Sequence, residues 1–171
     1  MEPSTLLLAL LLAAGTSAQA MPAGSDLPPF EATSLTGQKV TAQQLAGQPT
    51  ILIVTPSKGA AEDTRQWAEA LRRNLDPQSV RVRDVLAIDL PFFMSESDAI
   101  GRARDKIPVR FHDQTWLLAE PTLEKALGIP TGSQSAFVFV LDAKARVVTR
   151  VQGNPTRQRV DEVVSAIGQA R

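Results

Sequence analysis

Residues 51–67 read ILIVTPSKGAAEDTRQW. The apolar and β-branched run at 51–55, bracketed by Pro49 and Pro56, predicts a central strand buried on both faces, where no polar alternation is needed. From about residue 60 to residue 75 the period becomes helical. Trp67, Ala68, Leu71 and Leu75 share one face, while Glu62, Asp63, Arg65, Glu69, Arg72 and Arg73 take the others. The acids fill the first turns and the arginines the last, matching the helix macrodipole, and Asp76-Pro77 ends the helix. A strand running straight into a helix leaves the helix's first N–H groups free at a cleft, which is where many folds hold their chemistry.

Working outward, residues 80–88 alternate and then become apolar, a second strand ending at Asp89. Residues 136–141 (AFVFVL) carry the strongest buried-strand signal in the chain. Asp142-Ala143-Lys144-Ala145 turns that strand back into residues 146–152. Asn154 or Thr156 then caps a helix in which Val160, Val163, Val164 and Ile167 keep the i, i+3, i+4, i+7 spacing. Upstream, residues 30–35 and 39–41 flank a Thr36-Gly37-Gln38 turn and predict a small hairpin. Residues 42–47 (AQQLAG) read as one helical turn ended by Gly47. Ser95 with Asp98 forms a capping box for a short helix ending before Pro108, and residues 122–127 a brief helix with Gly128 as its C-cap. The rest of 90–121 has no clear period. The order is hairpin, strand, helix, strand, helix, strand, strand, helix, an α/β sandwich with a central mixed sheet flanked by helices.

Residues 6–15 (LLLALLLAAG) are apolar but too short to span a bilayer, and Ala18-Gln19-Ala20 follows as a small-x-small cleavage site. This is the layout of a signal peptide over 1–20, and it predicts an exported, periplasmic or secreted protein starting at Met21. The alternative is a buried N-terminal helix, because the n-region lacks Lys and Arg. No later stretch is apolar enough to span a membrane. The remaining 21–171 suits one domain with one core.

The 18 basic residues equal the 18 acidic ones and are interspersed with them, so no stripe tracks a phosphate backbone and nucleic acid is excluded as an expected partner. The chain has no cysteine, which removes disulfides, thiol catalysis and thiolate metal sites together. No cofactor and no metal is expected.

The stretches DLPPFEATSLTGQKVTAQQLAGQPTILIV (26–54), LEKALGIP (123–130) and FVFVLDAKARVVTRVQGNPT (137–156), with the last helix, resemble the thioredoxin-like fold in its redoxin branch. That branch holds peroxiredoxins and exported thiol-disulfide proteins of the cytochrome-maturation type. In redoxins the first stretch carries Pro-x-Phe, a Leu-x-Gly hairpin turn and a Leu-x-Gly-x-Pro step into the first core strand. The resemblance implies a redox centre where the 51–55 strand meets the following helix, with a Cys-x-x-Cys window at about Gly59-Ala60-Ala61-Glu62. No thiol stands there, and a hydrogen or a methyl cannot replace a thiolate nucleophile. The cis-Pro or Arg that faces the family's cysteine would fall near Ala136. Glu62 and Asp63 would also oppose a thiolate at this helix start. The family's redox activity is therefore not carried over.

Other chemistries are thinly supported. His112-Asp113 would need Ser57 or Ser135 beside it for acyl transfer, and is otherwise a surface histidine in a polar loop. Ser57-Lys58-Gly59 could hold an anion on backbone N–H groups, but without the full phosphate-loop pattern it reads as an N-cap and turn. Leu90-Pro91-Phe92-Phe93-Met94 is an apolar cluster in a loop after a strand, either folded over the sheet edge or exposed as a contact patch. Trp67 reads as core and Trp116 as either core or contact.

Two functions follow. One is a non-redox binding or accessory module, with Pro56, Ser57, Lys58, Gly59, Phe92, Phe93 and Met94 as its contact residues and no catalytic residue. Its partner would be another exported protein or a small ligand at the former active-site end. The other is a redoxin-descended antioxidant or oxidoreductase with a non-thiol activity.

Overall fold

The structure is a computed structural model describing residues 21–118 and 120–171, so the signal peptide expected at 1–20 lies outside the described residues. Strand β3 (Thr50–Thr55) is an interior strand with every residue buried. It pairs parallel with β4 (Arg81–Leu86) and antiparallel with β6 (Phe137–Leu141). The hairpin β1 (Glu31–Ser34) and β2 (Lys39–Thr41), strand β5 (Thr115–Leu118) and strand β7 (Val147–Gln152) complete a seven-stranded mixed sheet in the order β2-β1-β5-β4-β3-β6-β7.

Strand β5 is the one strand that the sequence reading lacks. Thr115, Trp116, Leu117 and Leu118 are all buried, so they show no alternation, and four residues carry little periodic signal. Their strand character comes from partners far away in sequence: β1 antiparallel on one side and β4 parallel on the other. Trp116 is thereby core. Strand β4 is also shorter than the expected 80–88, although the Ala87 N–H still bonds the Thr55 carbonyl at 3.0 Å.

A 3-10 turn (Lys58–Ala60) leads into helix α1 (Ala61–Asn74), which lays Trp67 and Leu71 against the sheet together with Val163, Ala166 and Ile167 of helix α4 (Arg157–Gln169). Trp67 is fully buried, and its Nε1–H donates to the Gly153 carbonyl at 2.6 Å, so the burial leaves no orphan donor. Thr156 rather than Asn154 caps α4, accepting from the Arg159 N–H at 3.3 Å. Helix α2 (Glu96–Arg104) has the predicted Ser95/Asp98 capping box and packs Ile100 on Leu35 and Leu117. The opposite face is covered by the short helix α3 (Thr122–Ala126) with Leu123 and Leu127, and by Leu27, Phe30 and Leu45 from the N-terminal segment.

On the α1 face, Asp84 projects from β4 into the layer and takes Arg72 Nη2 at 2.7 Å on Oδ2, while Oδ1 has no partner. Burial raises its carboxyl above the ordinary value, and the charge and hydrogen bond of Arg72 pull it part of the way back. The Arg72 guanidinium also lies 4.3 Å over the Phe111 ring. The turn between β6 and β7 holds Ala145 at φ 61°, the one non-glycine residue at positive φ among those described.

Candidate functional site

The sheet places the site. β3, β4 and β5 run parallel, so their C-terminal ends lie together, and antiparallel β6 brings its N-terminal end to the same place. Residues 56–60, 87–89, 121 and 129–134 therefore meet at one end, where ligands of open α/β sheets characteristically bind. Of the three segments expected to meet, the loop at 56–61 and the segment before Ala136 are joined directly by hydrogen bonds.

At the strand-to-helix junction the chain is tied down by hydroxyls. The Ser57 Oγ donates to the Ser133 carbonyl at 2.7 Å, and the Gln134 Nε2 donates to the Ser57 Oγ at 3.3 Å and to the Gly132 carbonyl at 2.8 Å. Ser57 stands at the N-cap position of the 3-10 turn, yet its side chain makes no cap bond. The N-cap reading is corrected: the hydroxyl is drawn across to the neighbouring loop. Lys58 and Gly59 are exposed. A methyl group built on Gly59 would lie 1.7 Å from the Gln134 Oε1, so the space where a side chain would begin is filled by an amide from the facing loop. Asp63 Oδ2 accepts from the Ala136 N–H at 3.4 Å, and Thr55 shares a 2.7 Å hydroxyl contact with Thr64. Asp63 thus has a structural task, tying α1 to the start of β6.

Beside this junction opens a small cleft of about 20 Å³, walled by Pro56, Ala87, Pro121, Ile129 and Pro130 and edged by Asp89, Glu124 and Lys125. The Glu124 Oε2 exposes less than 1 Å² and has no hydrogen-bond partner. Burial, with a contribution from the charge of Asp89, holds the Glu124 carboxyl above its ordinary range. The sequence reading missed Asp89, Glu124 and Gln134. The signal for Glu124 was present in its place between Leu123 and Leu127 on a short helix, but which loop that helix faces is a tertiary fact.

Beyond Asp89 the chain leaves the sheet. Phe92 and Phe93 are 102% and 72% exposed and meet each other edge-to-face at 5.5 Å. They do not fold over the sheet edge; Leu90 alone packs back, against the Leu35, Ile100 and Leu117 cluster. Met94 is half-buried, with its N–H on the Pro91 carbonyl at 2.9 Å.

An acyl-transfer triad is ruled out by direction. His112 precedes β5 and so lies at the N-terminal ends of the parallel strands, whereas Ser57 and Ser135 lie at the C-terminal ends. The His112 ring donates from Nε2 to the Ile107 carbonyl at 2.8 Å, a local structural bond. Among the described residues no three His, Cys, Asp or Glu side chains come together as a metal site, and no helix is long and apolar enough to cross a membrane.

No family model matches the sequence, and no curated protein does either. Solved structures do match. A candidate thiol:disulfide interchange protein DsbE from Chlorobium tepidum superimposes with TM-score 0.64 at 15% identity, covering 87% of this chain and 100% of that one. The fold is thioredoxin-like. The exposed lipoprotein thioredoxin Etrx1 of Streptococcus pneumoniae matches with TM-score 0.61 at 12% identity, over 83% of this chain and 99% of its own. A thiol peroxidase from Chromobacterium violaceum gives 0.60 at 12% identity, over 90% and 91%. These neighbours bear names of thiol chemistry, whereas this thioredoxin-like chain contains no cysteine at all.

Proposed function

We propose that this protein is an exported, thiol-free binding or accessory module, which has kept the ligand end of a thioredoxin-like scaffold and lost its redox chemistry. The observation that carries the reading is at Gly59. Where the redoxin resemblance implies the first thiol there is no side chain, and the Gln134 amide occupies the space. Around it stand a hydroxyl and an amide already committed to backbone carbonyls and to each other. The contact residues are Pro56, Ser57, Lys58 and Gly59 at the junction and Phe92, Phe93 and Met94 beside it. An apolar pair next to a polar turn is the usual anatomy of a contact site. Its partner is another exported protein or a small ligand.

Purified protein should give no peroxide or insulin-disulfide turnover above the buffer blank, and turnover would favour the alternative of a redoxin-descended enzyme. Phe92→Ala with Phe93→Ala should abolish capture of the partner by immobilised protein. Because both rings are exposed, the double variant should stay within about 1 kcal/mol of the parent in stability. Capture unchanged by the double substitution would move the contact site elsewhere.

A further inference from the structure

We propose that the turn at Pro91–Met94 docks an arginine-bearing segment of a partner protein, with the guanidinium laid over the exposed Phe92 and Phe93 rings and answered by nearby carboxylates. The inference rests on the binding-module reading and specifies the partner's chemistry. The Met94 N–H on the Pro91 carbonyl at 2.9 Å closes a four-residue turn with Phe92 and Phe93 at its two central positions. Glycine, proline and short polar residues ordinarily hold such positions, and here two phenylalanines stand in water instead. The turn is pinned on both sides, by Leu90 in the Leu35, Ile100 and Leu117 cluster and by the Ser95 capping box of α2. Its rings are therefore presented on a fixed backbone, and docking needs little further ordering.

Charge and ring together select the occupant. Residues 89–98 carry Asp89, Glu96 and Asp98 and no lysine or arginine. Glu96 is answered from within the chain by Lys39 Nζ at 3.6 Å, whereas Asp89 and Asp98 are exposed and make no ion pair among the described residues. The Ser95 hydroxyl and N–H donate to Asp98 at 2.6 and 3.2 Å and hold its carboxyl below the ordinary range, so it stays charged; Arg102, a turn further along α2, adds only a minor pull. Elsewhere the chain covers its rings with guanidinium groups. Arg72 and Arg110 lie 4.3 and 4.8 Å from the Phe111 centroid, Arg83 lies 5.8 Å from Trp116, and Arg150 lies 4.8 Å from Phe137. Phe92 and Phe93 have no such cation among the described residues. A guanidinium meets both needs, since its plane stacks on an aromatic face while its edge N–H groups reach a carboxylate. An anionic bilayer surface would be repelled by the same acids, and a second copy docking turn to turn would set Asp89 and Asp98 against like charges.

The probes are acetyl-Leu-Arg-Leu-Arg-Leu-amide and its lysine and citrulline counterparts, titrated into isotope-labelled protein and followed by amide chemical shifts. Saturable shifts centred on residues 89–98 are expected with the arginine peptide. The lysine peptide should bind several-fold more weakly, and the citrulline peptide, which keeps the plane and loses the charge, should not saturate. Phe92→Ala with Phe93→Ala should abolish these shifts while the rest of the spectrum stays that of the folded parent. Asp89→Asn should weaken the arginine peptide about two- to fivefold, the range of one exposed ion pair, and added salt should weaken it in the parent. A lysine or citrulline peptide that binds as tightly as the arginine one, shifts indifferent to the phenylalanine substitutions, or no saturable shift at all would overturn the proposal. So would sedimentation with phosphatidylcholine or phosphatidylglycerol vesicles, or a dimer in ultracentrifugation, that the phenylalanine double variant removes: the first assigns the turn to a membrane, the second to another copy. If the peptides fail while partner capture still depends on Phe92 and Phe93, the arginine chemistry alone falls; turnover in the peroxide assay would instead remove the module reading.

Discussion

Arg72→Met isolates Asp84, the one buried charged residue among those described. The substitution keeps much of the Arg72 stem but removes the 2.7 Å partner of Asp84. Asp84 must then either remain ionised inside the layer or take up a proton. Protonation sets the ceiling on the penalty. Relative to an ordinary carboxyl at 3.8, neutralising it near pH 7 costs about 4 kcal/mol, and near pH 5 only about 1.6 kcal/mol, at about 1.4 kcal/mol per pH unit. The loss of the guanidinium over Phe111 adds about 0.5–1 kcal/mol at either pH. The loss is therefore at most about 4–5 kcal/mol near pH 7 and about 2 kcal/mol near pH 5, less whatever the raised carboxyl already costs the parent, against the 5–15 kcal/mol typical of a whole domain. The direction follows from Asp84 itself. Its folded carboxyl already titrates above the ordinary value, so its favourable contribution is complete below that value and is lost as pH rises through the folded one. Removing Arg72 raises the folded value further and deepens that loss. Urea unfolding followed by the fluorescence of buried Trp67 and Trp116, at the two pH values, measures both totals. Arg72→Met with Asp84→Leu should recover most of the loss, since no charge is then stranded. A penalty below about 1 kcal/mol near pH 7, or one that does not shrink near pH 5, would refute the reasoning.

Three smaller tests follow from local geometry. Trp67→Phe removes the donor to the Gly153 carbonyl and leaves part of the indole space empty; it should cost about 1–3 kcal/mol by denaturant unfolding. Ala145→Gly relieves a left-handed residue in the β6–β7 turn and should raise stability by about 0.5–1 kcal/mol, visible as a shifted midpoint at unchanged slope. Gly59→Ala should displace the exposed Gln134 amide at a cost under about 1 kcal/mol, and Gln134→Ala should remove that cost in the double variant.

The fold was legible where burial left a pattern along the chain. The 51–55 and 136–141 runs, the α1 stripe through Trp67 and Leu71, and the Ser95 capping box are local statements, and each element stands where the residues predict it. Strand β5 was not legible, because its four residues become a strand only between β1 and β4. The site divides the same way. Pro56 and Ser57 directly follow a core strand and could be placed at this end of the sheet by counting. The approach of Glu124 to Asp89, and of Gln134 to Gly59, depends on where α3 and the 129–135 loop settle, and no spacing along the chain records that.

The contact between Gly59 and Gln134 also couples two loops that lie far apart in the sequence. A thiol returned to position 59 by a single substitution would collide with an amide contributed from seventy-five positions further along, and would first have to push it off its bonds to Ser57 and Gly132. The conformation of the 129–135 loop at this end is thus set partly by what position 59 lacks, through one exposed amide that a larger residue there would turn aside.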